Sequence, residues 1–190
     1  MAGFRTHIGV SSALGVGYAG TLYTMYGVPL ETATVAGALR GFAGMLPDLD
    51  SDYGVPLREA MSFAAATIPV LLVNRFESLR LDRDQIVIIS IGLYLFVRFG
   101  IGTMIRKSPV QRAVFHSTPA MLILGGIVFL LTGASPTNDR LMMAGGAMGG
   151  FLSHLVLDEI YAVEFKSGRW RRKKSFGTAL KLWGGDTRSN

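Results

Sequence analysis

The length of the apolar runs is the feature that most constrains this chain. Between Gln85 and Ile105, for example, the only charged residue is Arg98. A run of ~20 apolar residues is the length that crosses a bilayer, and it is longer than an ordinary core helix needs. Hydrophobic residues make up 49% of the 190 residues and charged residues 17%. The sequence therefore predicts an all-α, polytopic membrane protein, with lipid as its solvent.

Six segments are predicted to be helical, because stretches rich in Gly, Pro or charge separate them. They are Ile8–Tyr26, Leu30–Leu46, Pro56–Val73, Gln85–Ile105, Ser117–Leu131 and Arg140–Val163. The second is short and contains Arg40, and the third begins with Arg58 and Glu59, so either could be re-entrant or interfacial. We expect a bundle of about six spans, with four as the lower limit.

The distribution of Lys and Arg predicts the orientation. The 106–112 loop and the C-terminal tail are the most basic regions, whereas the 133–138 loop has no Lys or Arg. Basic loops stay in the cytoplasm, so both termini are predicted to be cytoplasmic. The 75–84 loop then falls outside, and its three arginines argue against this orientation.

Two regions are expected: a membrane-embedded helical domain over residues 1–163, and a basic cytoplasmic tail over residues 164–190. The tail supplies much of the net charge of +6. A basic run beside a last apolar helix is typical of an anchor on anionic membrane lipid, and we expect no nucleic acid as a partner. The chain has no cysteine, which excludes disulfides and thiolate ligands, so any metal must use His and carboxylates.

The residues able to bind a metal fall at helix ends that share the predicted cytoplasmic side. They are His7 before the first span, Asp48, Asp50 and Asp52 after the second, His116 at the start of the fifth, and His154 and Asp158 near the end of the sixth. All three histidines of the chain belong to this set. The sequence therefore predicts that His7, Asp48, Asp50, His116, His154 and Asp158 share one metal site.

Each motif alone leaves an alternative open. His154 and Asp158 are four residues apart and so share a helix face, which suits either one bound ion or a hydrogen-bonded pair. The carboxylates between Leu46 and Asp52 alternate, as hard or borderline cations require, but an acidic solvated turn has the same composition. His116 follows Arg112 by one turn, and an Arg beside a metal can hold a phosphate. A single His at a helix start can equally be structural.

Four motifs in order resemble the YdjM-like family of bacterial inner-membrane proteins, over roughly residues 3–160. They are Thr6-His7, the segment from Leu46 to Asp50, the segment from Arg112 to Ser117, and Ser153-His154 followed by Asp158. The resemblance implies a metal-dependent hydrolase of the inner membrane, distantly similar to zinc-dependent phospholipases and nucleases. In that family the third motif usually reads His-Arg-Gly-x-Thr-His-Ser. Here Gln111 replaces the first His and Phe115 replaces the Thr, which removes one possible ligand or proton carrier.

These observations together favour a hydrolase of a phosphoester or a lipid-linked substrate at the cytoplasmic face, with zinc or manganese as the metal. The candidate catalytic residues are Asp52, Arg112 and Ser117, with Asp52 or Asp158 as the base and Arg98 as a second phosphate-binding candidate. The main alternative is a non-enzymatic membrane protein whose metal or salt-bridge cluster only locks the helices together. A cation transporter is less consistent, because transporters usually place such groups near mid-membrane.

Overall fold

The computed structural model describes residues 3–50, 55–107, 116–166 and 169–172 of the chain. Its helices are α1 (Phe4–Tyr26), α2 (Leu30–Ala43), a 3-10 helix (Leu46–Asp50), α3 (Val55–Ser78), α4 (Arg83–Leu95), a π-helix (Phe96–Ile101), α5 (Gly102–Lys107), α6 (Thr118–Leu131) and α7 (Thr137–Tyr161). Two short strands follow, β1 (Val163–Lys166) and β2 (Arg169–Arg172). The predicted all-α membrane bundle is confirmed, and the hairpin is an addition to it.

The second helix is shorter than the predicted Leu30–Leu46, and the difference matters for the site. α2 ends at Ala43 and the chain continues as a 3-10 helix from Leu46. Pro47 explains the change, because proline has no N–H to donate to the preceding turn and disfavours α geometry in the residue before it. The tighter segment carries Asp48 and Asp50 off the end of α2.

The fourth predicted helix is one continuous apolar rod in which α4, the π-helix and α5 follow without a break. It starts with a capping box, in which the Asp82 side chain accepts from the Gln85 backbone N–H and the Gln85 side chain accepts from that of Asp82. The π-helix was not predicted. Such segments often form where one extra residue must be fitted into a helix, and here Phe96–Ile101 lies against α3.

The core of the bundle is built from small residues in α1, α2 and α7. A Cβ at Gly15 would collide with the backbone of Gly37, and a Cβ at Gly150 would collide with the backbone of Arg40. Such contacts let helix backbones approach closely, which stabilises helix pairs in lipid where the hydrophobic effect does not. Leu155, at 0% exposed, lies in the same core.

Three segments within the described residues are long and apolar enough to cross a membrane: Leu57–Ser78, Arg83–Met104 and Thr137–Tyr161. α6 is a shorter apolar helix of 14 residues. α3 continues through Pro69, which membrane helices tolerate because neighbouring groups satisfy the freed carbonyl. The full count of six spans and the cytoplasmic placement of both termini stay predictions.

A two-stranded antiparallel hairpin begins directly after α7, at the boundary where the basic tail was expected to start. Val163 lies opposite Arg172, and Phe165 lies opposite Trp170. Each strand is only four residues long, which is too short for a clear pattern of alternating apolar and polar residues. The segment is also highly charged, and for both reasons the hairpin was not predicted from the sequence. The tail beyond residue 172 lies outside the described residues.

Candidate metal centre

Successive helices run in opposite directions, and this brings the predicted ligands to one end of the bundle. His7 is in the first turn of α1, Asp48 follows α2, His116 precedes α6, and His154 and Asp158 are in the last two turns of α7. These five side chains lie together in the structure. Their proximity is the arrangement expected from the sequence, while their role as metal ligands stays a prediction.

Asp158 is at the centre of this group, which we call the His/Asp cluster: His7, Asp48, His116, His154 and Asp158. One carboxylate oxygen, Oδ1, lies 3.3 Å from His7 Nε2. The other, Oδ2, lies 3.4 Å from His154 Nε2 and 3.7 Å from His116 Nε2. Asp48 Oδ1 adds a second carboxylate, 3.7 Å from His154 Nε2 and 3.9 Å from His116 Nε2.

The cluster is buried on one side and open on the other. The side chains of His7 and His154 are 1% and 0% exposed, and that of Asp158 is 5% exposed. Those of His116 and Asp48 are 17% and 21% exposed. A molecule reaching the cluster would therefore approach from the His116 and Asp48 side.

A backbone carbonyl fixes the orientation of His154. Its Nδ1 lies 2.7 Å from the carbonyl oxygen of Gly44, and because a carbonyl can only accept, Nδ1 must carry a proton. The buried Nε2 has no hydrogen-bond partner, although it faces the carboxylates of Asp48 and Asp158. In a neutral ring this nitrogen presents a lone pair to the carboxylates, which is the arrangement of a histidine prepared to bind a cation.

The separations within the cluster match ligand spacing better than hydrogen bonding. Charge-assisted N–H···O bonds are about 2.7–2.9 Å long, whereas the five N···O distances here are 3.3–3.9 Å. Two atoms each ~2.1 Å from one tetrahedral ion are ~3.4 Å apart. The two carboxylates carry two negative charges and neutral imidazoles carry none, so one divalent cation would balance the charge of the site. The side chains present therefore fit a divalent metal.

The rings of His7 and His154 are stacked on each other. Their centroids are 3.7 Å apart and the ring planes differ by 14°. His7 and His154 would bind a divalent cation as neutral rings, because metal ligands must be deprotonated.

Close contacts between α1, α2 and α7 hold the cluster in place. The Ser11 hydroxyl donates to the Gly41 carbonyl at 2.7 Å. A Cβ at Gly44 would collide with the Ser11 side chain and would lie 3.4 Å from the Gly150 carbonyl oxygen. A larger residue at this position would collide with Ser11, so the packing of three helices and the orientation of His154 both depend on Gly44.

Of the other predicted site residues, the structure describes only some. Asp50 ends the 3-10 helix, but its side chain lies outside the described part of the chain. Asp52, Arg112 and the variant positions Gln111 and Phe115 are also outside it. The Ser117 hydroxyl accepts from the Ala120 backbone N–H at 3.3 Å and so caps α6, which is a structural task. Its catalytic role, and that of the other two candidates, stay predictions.

Two features of this region escaped the sequence analysis. One is the Gly44 carbonyl that orients His154, which lies four residues before Asp48 and which no sequence pattern indicates. Arg40, considered above only as an obstacle to a span, packs its guanidinium carbon 5.2 Å from the centre of the Tyr18 ring. A Cβ at Gly149 would lie 2.6 Å from one of its nitrogens. Arg98 lies beside its neighbour Phe99 within the π-helix.

A comparison with protein families gives a match over residues 1–168 to the family described as YdjM inner membrane protein. The matched region includes every residue of the His/Asp cluster. No curated protein and no solved structure matches the chain. With four ordered motifs, apolar helices of membrane length and a match over most of its sequence, the chain belongs to the YdjM family and is a multi-pass protein of the bacterial inner membrane.

Proposed function

We propose that this protein is a metal-dependent hydrolase of phosphoesters, with zinc or manganese bound by the His/Asp cluster. The observation that supports the proposal most directly is the spacing of its donor atoms. Five N···O distances of 3.3–3.9 Å surround the two carboxylates, and His154 turns an unpartnered nitrogen toward them. In this donor set the histidines suit zinc, and the mixture of imidazole and carboxylate also accepts manganese.

The buried and the partly exposed residues of the cluster would have different roles. All five residues would hold the cation; His7, His154 and Asp158 form the enclosed part of the site, while the partly exposed His116 and Asp48 also border the approach. A divalent cation bound there would polarise a phosphoryl oxygen and acidify water at neutral pH. A carboxylate on the open side is in position to accept a proton from water or to hold it for a leaving group, and the predicted base Asp52 follows Asp48 by four residues.

The place of the cluster favours a substrate from the membrane surface. It lies at the end of α7, one of the segments able to cross the membrane, and its open side is formed by residues beyond the helix ends. A phosphoester at the headgroup level of the bilayer meets this side directly. Arg112, one turn before His116 in the sequence, is the candidate for holding the phosphate.

The test compares His116→Ala with Asn138→Ala in protein purified in detergent. Asn138 is exposed near the start of α7, at the opposite end of the bundle. We expect the wild type to contain zinc or manganese and to hydrolyse bis(para-nitrophenyl) phosphate. His116→Ala should lower metal affinity by at least about a hundredfold and abolish turnover, with the Tm of the metal-free protein little changed. Asn138→Ala should behave as the wild type in all three measurements.

The non-enzymatic alternative gives a different set of results. A structural metal or salt-bridge cluster predicts a Tm that falls with the loss of His116 and no turnover of any phosphoester by the metal-loaded wild type. That combination would overturn the hydrolase proposal. Gln111→His adds a second comparison, because restoring the residue usual in the family should raise metal affinity or turnover if position 111 faces the site.

A further inference from the structure

An open groove of about 450 Å³ runs along the outer side of the α1–α2 pair. Its floor is formed by the buried glycines Gly15, Gly37 and Gly41, and Phe63 of α3 contributes to one wall. Phe63 is held there by stacking on Phe42, with ring centroids 4.2 Å apart. The lining is largely apolar, with Ser12 and Thr34 as its hydroxyl-bearing residues.

One end of this α1–α2 groove lies beside the His/Asp cluster. Ile8 and Met45 line that end; Ile8 follows the cluster residue His7, and Met45 follows Gly44, whose carbonyl orients His154. The far end is lined by Ala19 and Thr34, about 16 Å further along the helices at ~1.5 Å per residue. The groove therefore extends from the polar end of the bundle along α1 and α2, away from the His/Asp cluster.

We propose that the α1–α2 groove binds the alkyl chain of the substrate, so that the substrate is a lipid phosphoester with its head at the His/Asp cluster. This proposal rests on the hydrolase function proposed above and names its substrate class. A molecule that matches both parts must be polar at one end and a hydrocarbon chain along the rest. A membrane lipid already has this orientation in the bilayer, with its phosphate at the interface and its chain directed inward.

The size of the groove suits a single chain. A volume of about 450 Å³ accommodates ~15 methylene groups, taking each as similar to the ~30 Å³ that one water molecule occupies in the liquid. Lipid tails are as apolar as the groove, so the chain gains no hydrophobic free energy by entering it. The groove therefore acts through shape: it holds the phosphate at the cluster and sets the chain lengths that fit.

Filling the groove at two depths tests this assignment. Ala38 and Thr34 line the groove with exposed side chains, seven and eleven positions before Met45. Turnover is measured with para-nitrophenyl phosphodiesters of octyl to octadecyl alcohols. Ala38→Phe should lower turnover of the long-chain esters by at least about tenfold, since small misplacements of a reacting group cost that much or more. Thr34→Phe should affect only the longest chains, because it obstructs the far end.

A matched control separates the groove from general effects of a bulky residue. Ala13 is exposed on α1 and does not line the groove, so Ala13→Phe should leave every chain length unaffected. All variants should keep their turnover of bis(para-nitrophenyl) phosphate, which has no alkyl chain. If the wild type hydrolyses neither class of ester, the hydrolase function fails. If it hydrolyses both and Ala38→Phe changes nothing, the groove assignment alone fails.

Photocrosslinking gives a measurement that does not depend on turnover. A phosphatidic acid with a diazirine near the chain end, reconstituted with the protein in phosphatidylcholine vesicles, should label α1 and α2 peptides, and Ala38→Phe should reduce this labelling. Labelling of α4 peptides to the same extent would identify ordinary surrounding lipid and would overturn the proposal. Crosslinks between two copies of the chain at this groove would do the same, because they would assign the groove to a dimer contact.

Discussion

The α2–α7 contact and the helix α4 are both apolar, but they differ in packing: the residues of the first are buried between helices and those of the second are not. Along α2–α7 the backbones nearly touch, since a Cβ at Gly146 would lie 2.5 Å from the Ala36 carbonyl oxygen. α4 has no buried residue in its whole length from Arg83 to Leu95. Hydrophobicity therefore does not distinguish the two regions, and close packing does.

The difference shows how a membrane bundle can hold a polar site. Lipid offers no hydrophobic gain for bringing helices together, so their relative position depends on shape and on a few polar contacts. The glycines of α2 and α7 lie within about two and a half turns of Gly44 and His154, and so the fit of these helices decides the geometry of the His/Asp cluster. The side chains of α4 are not buried against other helices, so no close backbone contact fixes the position of α4.

The largest effect is expected from a single methyl group in the α2–α7 contact. In Gly150→Ala the new Cβ would occupy the position of the Arg40 backbone carbonyl, which forces α2 away from α7. We expect a loss of about 3 kcal/mol or more in the free energy of unfolding, together with loss of bound metal. Thermal unfolding in detergent and metal analysis measure the two effects.

The matched control for this substitution is in α4. A Cβ at Gly92 would meet nothing within 4 Å, so Gly92→Ala should be neutral or slightly stabilising, since alanine is the better helix former. Equal destabilisation by the two substitutions would show that the close α2–α7 contact is not what positions the cluster.

The next effect in size concerns the metal itself. Saturating metal should raise the stability of the wild type, by about 2.7 kcal/mol when its concentration is a hundred times Kd. Asp158→Asn removes the carboxylate that faces all three histidines, so zinc or manganese should no longer raise its Tm. Asp139→Asn, at the other end of α7, serves as the control and should keep the full increase. A metal-dependent increase that survived in Asp158→Asn would place the ion elsewhere.

The sequence predicted the helices and the shared end of the bundle because both depend on local patterns. Apolar length fixed the helical segments to within a few residues, and the alternation of helix direction then brought His7, Asp48, His116 and His154 to one side. The prediction of α2 was wrong at its C-terminus, where the helix ends at Ala43 instead of Leu46. Pro47 could have suggested an earlier end.

The parts that could not be predicted depend on three-dimensional contacts. No pattern in the sequence says that the Gly44 carbonyl accepts from a histidine 110 residues away, or that Gly15 lies against Gly37. The close spacing of the glycines along the helices is compatible with tight packing, but their partners follow from helix crossings that a single sequence does not determine. The α1–α2 groove arises from the same crossings, and no pattern in the sequence indicates it.

A smaller effect is expected from the polar contact between α1 and α2. Ser11→Ala removes the buried hydrogen bond from the Ser11 hydroxyl to the Gly41 carbonyl without adding volume. We expect a cost of about 1 kcal/mol, the usual contribution of one hydrogen bond, and a modest fall in metal affinity because Gly41 lies one turn from Gly44. Thr24→Ala is the comparison, since the Thr24 hydroxyl bonds only to Gly20 within α1 and is exposed. A similar cost for both would show that the bond to α2 adds nothing beyond the loss of a hydroxyl that bonds within its own helix.

The smallest effect is expected on α4, where Ile88→Ala should change the free energy of unfolding by no more than about 0.5 kcal/mol. Ile88 is 69% exposed, so in a micelle or bilayer its side chain exchanges contacts with detergent or lipid and loses no packing within the chain. Leu155→Ala, at a position that is 0% exposed in α7, should cost about 2–5 kcal/mol in the same assay, because the surrounding helices cannot fill the cavity. If Ile88→Ala were instead nearly as costly as Leu155→Ala, the exposed face of α4 would have to be covered in the folded protein. A second copy of the chain would be the simplest cover, and the Tm of the wild type should then rise with protein concentration while that of Ile88→Ala should not.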